Sequence, residues 1–515
     1  MYIDGGTGES ETNGSVLRRS IRCATSLRSM GMKTGDVMVL MAPNHLDQAV
    51  PFYAALFEGI IIAPIDRTLG VNELKNTFAT DKPRIIFCQS DKVQDVQKAV
   101  DLLGLDAKII SFDSRPDTIS LSEMMEKYGE DIDVQEFKVV DFDAEETIAF
   151  IVSTSGTTGL PKAGILTHKN IVITGPYICG FSKKFPSPTK SALIVSPLQW
   201  LSALLPYAIG PFLKYTRVQT SLNLTTKHIF DLINKYEPTF LIISPPMMIT
   251  LVKEAENNNC DFSSFEVISF AGSAAPDNLL QKLNILTPNT KVAEAYGMTE
   301  LGSIALYSFD APPRSCGRGF AHLQYKLMNI ETEDEVNEPY KCGELWLKSP
   351  GAFKGYYNNP EVTAEVITED KWFKTGDLMY RDEDWYFYFV ERIKLMLKYR
   401  NHQISPVELE TVIRQHPGVS DVAVTGVPDP ESGELPIAFV VPRHGAVLSA
   451  QEIKDLVKEN LTDSKQLRGG VIFLKELPLT STTKLDRRTL KQMATASGIY
   501  KLTVEPVSLR PMDQC

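Results

Sequence analysis

The stretch Ser153-Thr154-Ser155-Gly156-Thr157-Thr158-Gly159-Leu160-Pro161-Lys162-Ala163-Gly164 decides how the rest of the chain is read. It is rich in glycine and hydroxyl side chains and carries one lysine. The apolar run Thr147-Ile148-Ala149-Phe150-Ile151-Val152 directly before it reads as a buried strand. A loop that leaves a buried strand of an α/β sheet lies where such folds hold their ligands. Its glycines let backbone amides close around phosphate oxygens, and the hydroxyls and Lys162 add donors, so the stretch reads as a phosphate-binding loop. It is not the Walker arrangement: no Gly-Lys-Ser/Thr follows at the required spacing, and Pro161 stands directly before the lysine. The competing reading, a flexible Gly/Ser/Thr linker, suits neither the buried strand in front nor the Pro-Lys pair inside.

Working outward, strands and helices alternate. Apolar spacing predicts a helix over 14–30, a strand at 36–41, a helix over 45–58, a strand at 60–65, a helix over 71–80 and a strand at 84–87. The rhythm resumes after the loop with strands at 240–244, 267–270 and 291–295 and a helix over 247–256. This is the pattern of a wound α/β sheet. Past Asp377 the character changes: a short aromatic strand at 385–390 runs into Glu391-Arg392, and an α+β pattern follows, with helices at 406–415 and 450–460 and strands at 419–426 and 437–441. The boundary is therefore drawn after residue 391, giving a large domain over 1–391 and a small one over 392–515.

At 515 residues the chain has room for two or three domains, and its formal charge of -11, from 53 Lys+Arg against 64 Asp+Glu, comes without a long basic run or aromatic-basic stripe. Nucleic acid is not an expected partner. The seven cysteines are scattered with no C-x-x-C pair, which indicates neither a zinc site nor a disulfide framework and fits a reducing compartment. The N-terminus lacks a basic-then-apolar signal, and the apolar stretch at 200–213 is short and broken by proline, so no membrane span is expected. The C-terminal Pro511-Met512-Asp513-Gln514-Cys515 forms neither an S-K-L address nor a C-a-a-X box, and a cytoplasmic location is expected.

The loop resembles the signature of adenylate-forming enzymes, the superfamily of acyl-CoA synthetases, 4-coumarate:CoA ligases, beetle luciferases and peptide-synthetase adenylation domains. Further stretches follow in the family's order over nearly the whole chain: Tyr296-Gly297-Met298-Thr299-Glu300, Gly343-Glu344-Leu345, Gly355-Tyr356-Tyr357-Asn358-Asn359-Pro360, Thr375-Gly376-Asp377, Glu391-Arg392-Ile393-Lys394 and Lys484. The resemblance implies a large N-terminal domain of wound α/β sheets with a β-barrel-like subdomain, and a small mobile α+β lid that swivels on Glu391. The hairpin at Asp4 to Glu9 lies some tens of residues into the family's proteins, so an N-terminal portion before residue 1 is expected.

The resemblance also implies an activity: a small carboxylic acid is activated with ATP and Mg2+ to an acyl-adenylate and then passed to CoA. Thr154, Ser155, Gly156, Thr157, Thr158, Gly159 and Lys162 would hold the β- and γ-phosphates, and Glu300 the metal. Thr299 would donate to the α-phosphate, and Tyr296 would lie against adenine. Gly272, Ser273 and Ala274, in a small-residue turn, would let adenine and acyl group approach the backbone. Asp377 would accept the ribose hydroxyls, with Arg392 beside it. Lys484 would bridge substrate carboxylate and α-phosphate, and Lys398 and Gln403 would serve the second step on a lid hairpin. Each has a plainer reading: an ordinary turn for the Tyr-Gly-x-Thr-Glu and Gly272 segments, an Asx-turn or helix cap for Asp377, a solvated surface charge for Arg392 and Lys484.

Five positions depart from the family pattern. Thr483 replaces the glycine common before the catalytic lysine, and Arg400-Asn401 replaces a Lys-Gly pair on the hairpin. Trp200 takes the place of a histidine, and Ile304 stands where luciferases have a small residue. Trp200 and Ile304 add apolar bulk to the expected acyl pocket and point to an acid other than firefly luciferin, with simple core filling as the other reading of Trp200. Two rival functions follow: a luciferase-type monooxygenase acting through an adenylate, and a protein that binds nucleotide or acyl ligand without turnover.

Overall fold

A computed structural model describes residues 1–154, 162–180, 190–351, 353–399, 402–429, 432–480 and 485–497, the side chains of 175–180, 256, 257, 402 and 403 excepted. Lys484, residues 155–161 with the phosphate-loop positions Ser155, Gly156, Thr157, Thr158 and Gly159, and Arg400 and Asn401 lie outside the described residues.

The chain divides into two compact units: one of Met1–Lys326, Trp346–Lys374 and Asp382–Phe387, the other of Leu327–Leu345, Thr375–Arg381 and the chain from Tyr388 onward. The first unit holds two wound sheets. In one, six strands run in the order Lys108–Ser111, Ile85–Cys88, Val37–Met41, Ile61–Pro64, Ile148–Thr154, Lys162–Thr167, parallel except for the last pair. Val37–Met41, Ile61–Pro64 and Ile85–Cys88 are covered on both faces, which is why they read as unbroken apolar runs. Met38 and Leu40 pack on one face with the helices Asn13–Ser29 and Ala49–Glu58, while Val37, Val39 and Met41 pack on the other with Val71–Asp81 and Val93–Leu103. Local signals set the helix starts: Thr12 accepts from Ser15 N–H, and Ser120 and Glu123 form a capping box ahead of Leu121–Tyr128.

The other sheet has nine strands, with Val267–Ala271 between Phe240–Ile243 and Lys291–Met298 in parallel. Its far edge is completed by the N-terminal strand Tyr2–Asp4, which pairs with Thr216–Gln219 and folds back as a hairpin onto Ser10–Glu11. Arg217 in that partner strand is 2% exposed, its guanidinium carbon 3.5 Å from the ring centroid of Tyr207 and 4.3 Å from that of Tyr2. The stretch set aside above as proline-broken is the helix Leu201–Leu213, with Pro206 and Pro211 inside it. Burial of Ala203, Leu204, Tyr207 and Ala208 offsets the hydrogen bonds that the prolines remove.

Between these sheets and the C-terminal part of the sequence, Gln324–Met328, Gly343–Lys348, Phe373–Arg381 and Phe387–Arg392 form a four-stranded sheet in that order. The second unit has its own core on the sheet His402–Ile404, Leu397–Tyr399, Gly433–Pro442, Val419–Asp429, with Gly470–Phe473 also paired to Gly433–Pro442. The helices Pro406–Ile413, Ala450–Asn460 and Arg487–Ser497 belong to this unit. Among the described residues no helix is long and apolar enough to cross a membrane.

Asp81 ends the helix Val71–Asp81 and is buried, and burial pushes its carboxyl up to about 7. The negative end of the helix dipole opposes its ionisation as well. With the folded pKa above the unfolded one, the folded chain keeps a proton that the unfolded chain releases. The stabilising contribution is therefore complete below about pH 4 and lost as the pH rises through about 7. Asp81→Asn, which cannot ionise, is expected to stabilise by on the order of 2 kcal/mol at pH 8 and by much less at pH 5. Melting curves at the two pH values check this.

Candidate functional site

The strands Ile148–Thr154 and Lys162–Thr167, which flank the expected phosphate-binding stretch in the sequence, pair antiparallel with Thr154 and Lys162 as register partners. On its other side the hairpin meets the Gly-Tyr-Tyr segment: Ile165 N–H donates to Gly355 O at 3.0 Å and Tyr357 N–H to Ala163 O at 2.7 Å. This pairing lays the Tyr356 ring under Lys162, whose Nζ is 4.9 Å from the ring centroid. The phenol of Tyr356 donates to Glu300 Oε1 at 2.8 Å. A Cβ placed on Gly164 would lie 3.5 Å from Thr299 Cγ2, so Thr299 sits against the same hairpin. Thr154, Lys162, Thr299 and Glu300 are thus brought to one hairpin, and Tyr356 is the residue that links Lys162 to Glu300. The sequence singled out its motif without giving it a role.

The strand Lys291–Met298 carries Tyr296 to the carboxyl edge of the nine-stranded sheet, and its register with Ser303–Tyr307 shifts by a bulge between Tyr296 and Gly297. Bulges of this kind re-aim side chains and are common beside active sites. Thr299–Leu301 is a single 3₁₀ turn closed by left-handed Gly302. Gly297 faces the opposite strand so closely that a Cβ there would lie 2.5 Å from Ser303 O. Ile304 is the register partner of Gly297 and is half-buried.

On the neighbouring parallel strand, Val267–Ala271 ends in the turn of Gly272, at φ +94°, with Ser273 and Ala274 exposed. Glu294 fixes this turn: its Oε1 accepts from Ala275 N–H at 2.6 Å. Burial raises the Glu294 carboxyl above its usual range, and the Ala275 hydrogen bond works against that shift. Nothing local in the sequence marks Glu294, because its partner is reached across strands. Trp200 lies beyond the carboxyl end of the strand Ser191–Leu193, at the N-cap of the helix Leu201–Leu213. It is half-buried rather than part of the core. Trp200, Gly272 and Thr299 therefore follow three strands that point the same way in one sheet, at the edge where such sheets hold ligands.

In the second unit Asp377, 1% exposed, pairs with Arg392, Nε to Oδ1 at 2.9 Å. The turn that presents it is built from the neighbouring motif. Gly376, left-handed at φ +71°, donates its N–H to Glu344 Oε1 at 2.9 Å, and Thr375 Oγ1 donates to Leu345 O at 2.7 Å. Glu391 is buried; its carboxylate accepts from Arg392 N–H, Val407 N–H and the Ser405 hydroxyl, and burial raises it above the usual carboxylate range. Lys398 and Gln403 are register partners on the hairpin of Leu397–Tyr399 and His402–Ile404, and Lys398 is exposed.

Residues 1–357 match the family model described as AMP-binding enzyme, and residues 408–484 match that of the AMP-binding enzyme C-terminal domain. The chain is 32% identical over 489 residues to a luciferin 4-monooxygenase of Photuris pensylvanica, covering 93% of this chain and 88% of the relative. It is 28% identical over 513 residues to 4-coumarate–CoA ligase-like 9 of Arabidopsis thaliana, covering 97% and 88%. In fold it is similar to the ATP-bound MatB of Rhodopseudomonas palustris, with a TM-score of 0.85 at 23% identity over 96% of this chain and 95% of that one. The anthranilate CoA ligase AuaEII with anthranoyl-AMP gives a TM-score of 0.81 at 21% identity over 94% and 92%. Family models that match from residue 1 to 357 and again from 408 to 484, with full-length relatives of the same kind, establish that the chain belongs to the adenylate-forming AMP-binding enzyme superfamily.

Proposed function

We propose that the protein is an ATP- and Mg2+-dependent acid:CoA ligase. A carboxylate oxygen attacks the α-phosphorus of ATP and pyrophosphate leaves; the CoA thiolate then attacks the acyl carbonyl and AMP leaves. The observation that carries this reading is the meeting of Lys162 and Glu300 at Tyr356, with Thr299 against Gly164 of the same hairpin: a cation, a carboxylate and a hydroxyl suited to a triphosphate and its metal. Among the described residues no three metal-ligating side chains come together. That suits Mg2+, which takes one or two carboxylates and completes its shell with phosphate and water. Glu300 is the carboxylate that would hold it, where the metal would offset phosphate charge.

In this reading the 154–162 loop binds the β- and γ-phosphates, Thr299 the α-phosphate, Tyr296 adenine, and Asp377 with Arg392 the ribose. Gly272, Ser273, Ala274, Trp200 and Ile304 line the acyl group. Residues 1–391 and 392–515 act as the adenylation domain and the lid, Lys484 serves adenylation, and Lys398 and Gln403 serve thioester formation. The structurally similar MatB and AuaEII carry ATP and anthranoyl-AMP, which supports ATP as the nucleotide. Exchange of labelled pyrophosphate into ATP across a carboxylate panel, followed by a CoA thioester assay, tests both half-reactions. The 32% identity to a luciferin 4-monooxygenase favours a second reading, oxidation of the adenylate by O2, and light emission with luciferin, ATP and oxygen would select it.

Because Trp200 is half-buried, Trp200→Ala is expected to widen the range of acids that support pyrophosphate exchange with little change in melting temperature. An unchanged acid profile with a stability loss of about 3–5 kcal/mol would return Trp200 to core filling.

A further inference from the structure

Lys162 and Glu300 carry opposite charge, both reach Tyr356, and among the described residues they form no ion pair with each other. One side chain separates them. Its ring face takes the ammonium, a cation–π contact, and its phenol takes the carboxylate, a hydrogen bond strengthened by charge. The separator is rigid. Tyr356 is 7% exposed, its ring packs edge-on against Phe353 with centroids 5.0 Å apart, and its N–H donates to Thr363 Oγ1 at 2.9 Å. Its backbone also bridges to Gly164 of the phosphate-loop hairpin.

We propose that Tyr356 is a positioning residue that keeps the loop lysine and the metal carboxylate from neutralising each other, so that Lys162 stays available to phosphate and Glu300 to the metal. This rests on the reading of Lys162 and Glu300 given above. The two halves of the side chain divide the work. The ring acts on Lys162 and so on nucleotide affinity without metal. The phenol orients Glu300 and so acts on the gain in affinity that Mg2+ brings.

The test is ATP binding to the whole chain by calorimetry, once with EDTA and once with excess MgCl2, for wild type, Tyr356→Phe, Tyr356→Leu and the double variant Tyr356→Leu/Glu300→Gln. Tyr356→Phe is expected to keep the metal-free affinity while the Mg2+-dependent gain falls on the order of tenfold, the effect of losing one hydrogen bond to a charged group. Tyr356→Leu is expected to lower the metal-free affinity as well, because Lys162 then pairs with Glu300. Removing that charge in the double variant is expected to restore metal-free affinity, a rescue that a merely structural role for the ring would not give. If the leucine variants do not fold, Tyr356→Phe decides alone, since it keeps the packing. Wild type that binds ATP, with Tyr356→Phe showing the same Mg2+-dependent gain or the double variant showing no rescue, overturns the proposal and leaves the functional reading standing. Wild type that binds ATP under neither condition overturns both.

Discussion

Lys484→Ala is expected to lower ATP–pyrophosphate exchange by about 10²- to 10³-fold while sparing conversion of a supplied acyl-adenylate to thioester. In the proposed reaction this lysine bridges the attacking carboxylate and the α-phosphate, where negative charge grows as the bond to pyrophosphate breaks. Such a donor acts on the transition state of one step only. The described residues on either side of Lys484 are held in place: Leu479 bridges to Leu485, and Arg487 donates to Glu410 Oε1 at 3.0 Å and to the Val424 carbonyl at 2.6 Å. Alanine at 484 therefore leaves the surrounding unit in place, and a folding defect would not explain the loss. Measuring the two half-reactions separately checks this, and an equal loss in both would remove Lys484 from its assigned step.

Gly297→Ala should damage both stability and nucleotide binding. A Cβ at this position meets Ser303 O at 2.5 Å and Ile304 Cα at 3.0 Å, both backbone atoms with no rotamer to yield. The strand Ser303–Tyr307 must move away, and the turn Thr299–Leu301 between the two strands moves with it. Overpacking of this kind costs roughly 1–3 kcal/mol. Because the displaced turn carries Thr299 and Glu300, the affinity for Mg2+-ATP is expected to fall by more than about tenfold as well, each tenfold being about 1.4 kcal/mol of lost binding. Melting curves and calorimetry on the same protein test the pair of effects. A variant that melts and binds like wild type would show that the strands close around Gly297 less tightly than described.

Much of this architecture can be read from the sequence, for physical reasons. The strands Val37–Met41, Ile61–Pro64 and Ile85–Cys88 are covered on both faces, so each is an uninterrupted apolar run, and nearby helices begin at caps such as Thr12 and Ser120. The family models and relatives bear out the family that the resemblance named, and the structure bears out its fold. What the sequence could not supply are contacts set by register between distant segments. Tyr356 meets Glu300 and Lys162 only because Gly355–Tyr357 pairs with the loop hairpin, and Glu344 reaches Gly376 only because two strands align. Glu294 is inconspicuous in its strand until the turn of Ala275 is laid beside it. Lys162, read within a loop that ran to Gly164, begins the strand Lys162–Thr167, because this segment pairs back onto Ile148–Thr154.

The N-terminal strand has a consequence for how the protein is made. Tyr2 is paired with Arg217, so the ribosome must add some two hundred residues after the strand has emerged before its neighbour exists. At roughly 5–20 residues per second this is a wait on the order of 10 to 40 seconds. Through that interval the only strand paired with Tyr2 and Ile3 is Ser10–Glu11, and the tyrosine ring, though within reach of Tyr53, lacks the arginine it will stack on. The six-stranded sheet, complete by residue 167, can form meanwhile. The nine-stranded sheet can admit the strand Tyr2–Asp4 only after Thr216–Gln219 has been synthesised, so during translation that strand is a waiting edge, open to a chaperone or to the wrong partner.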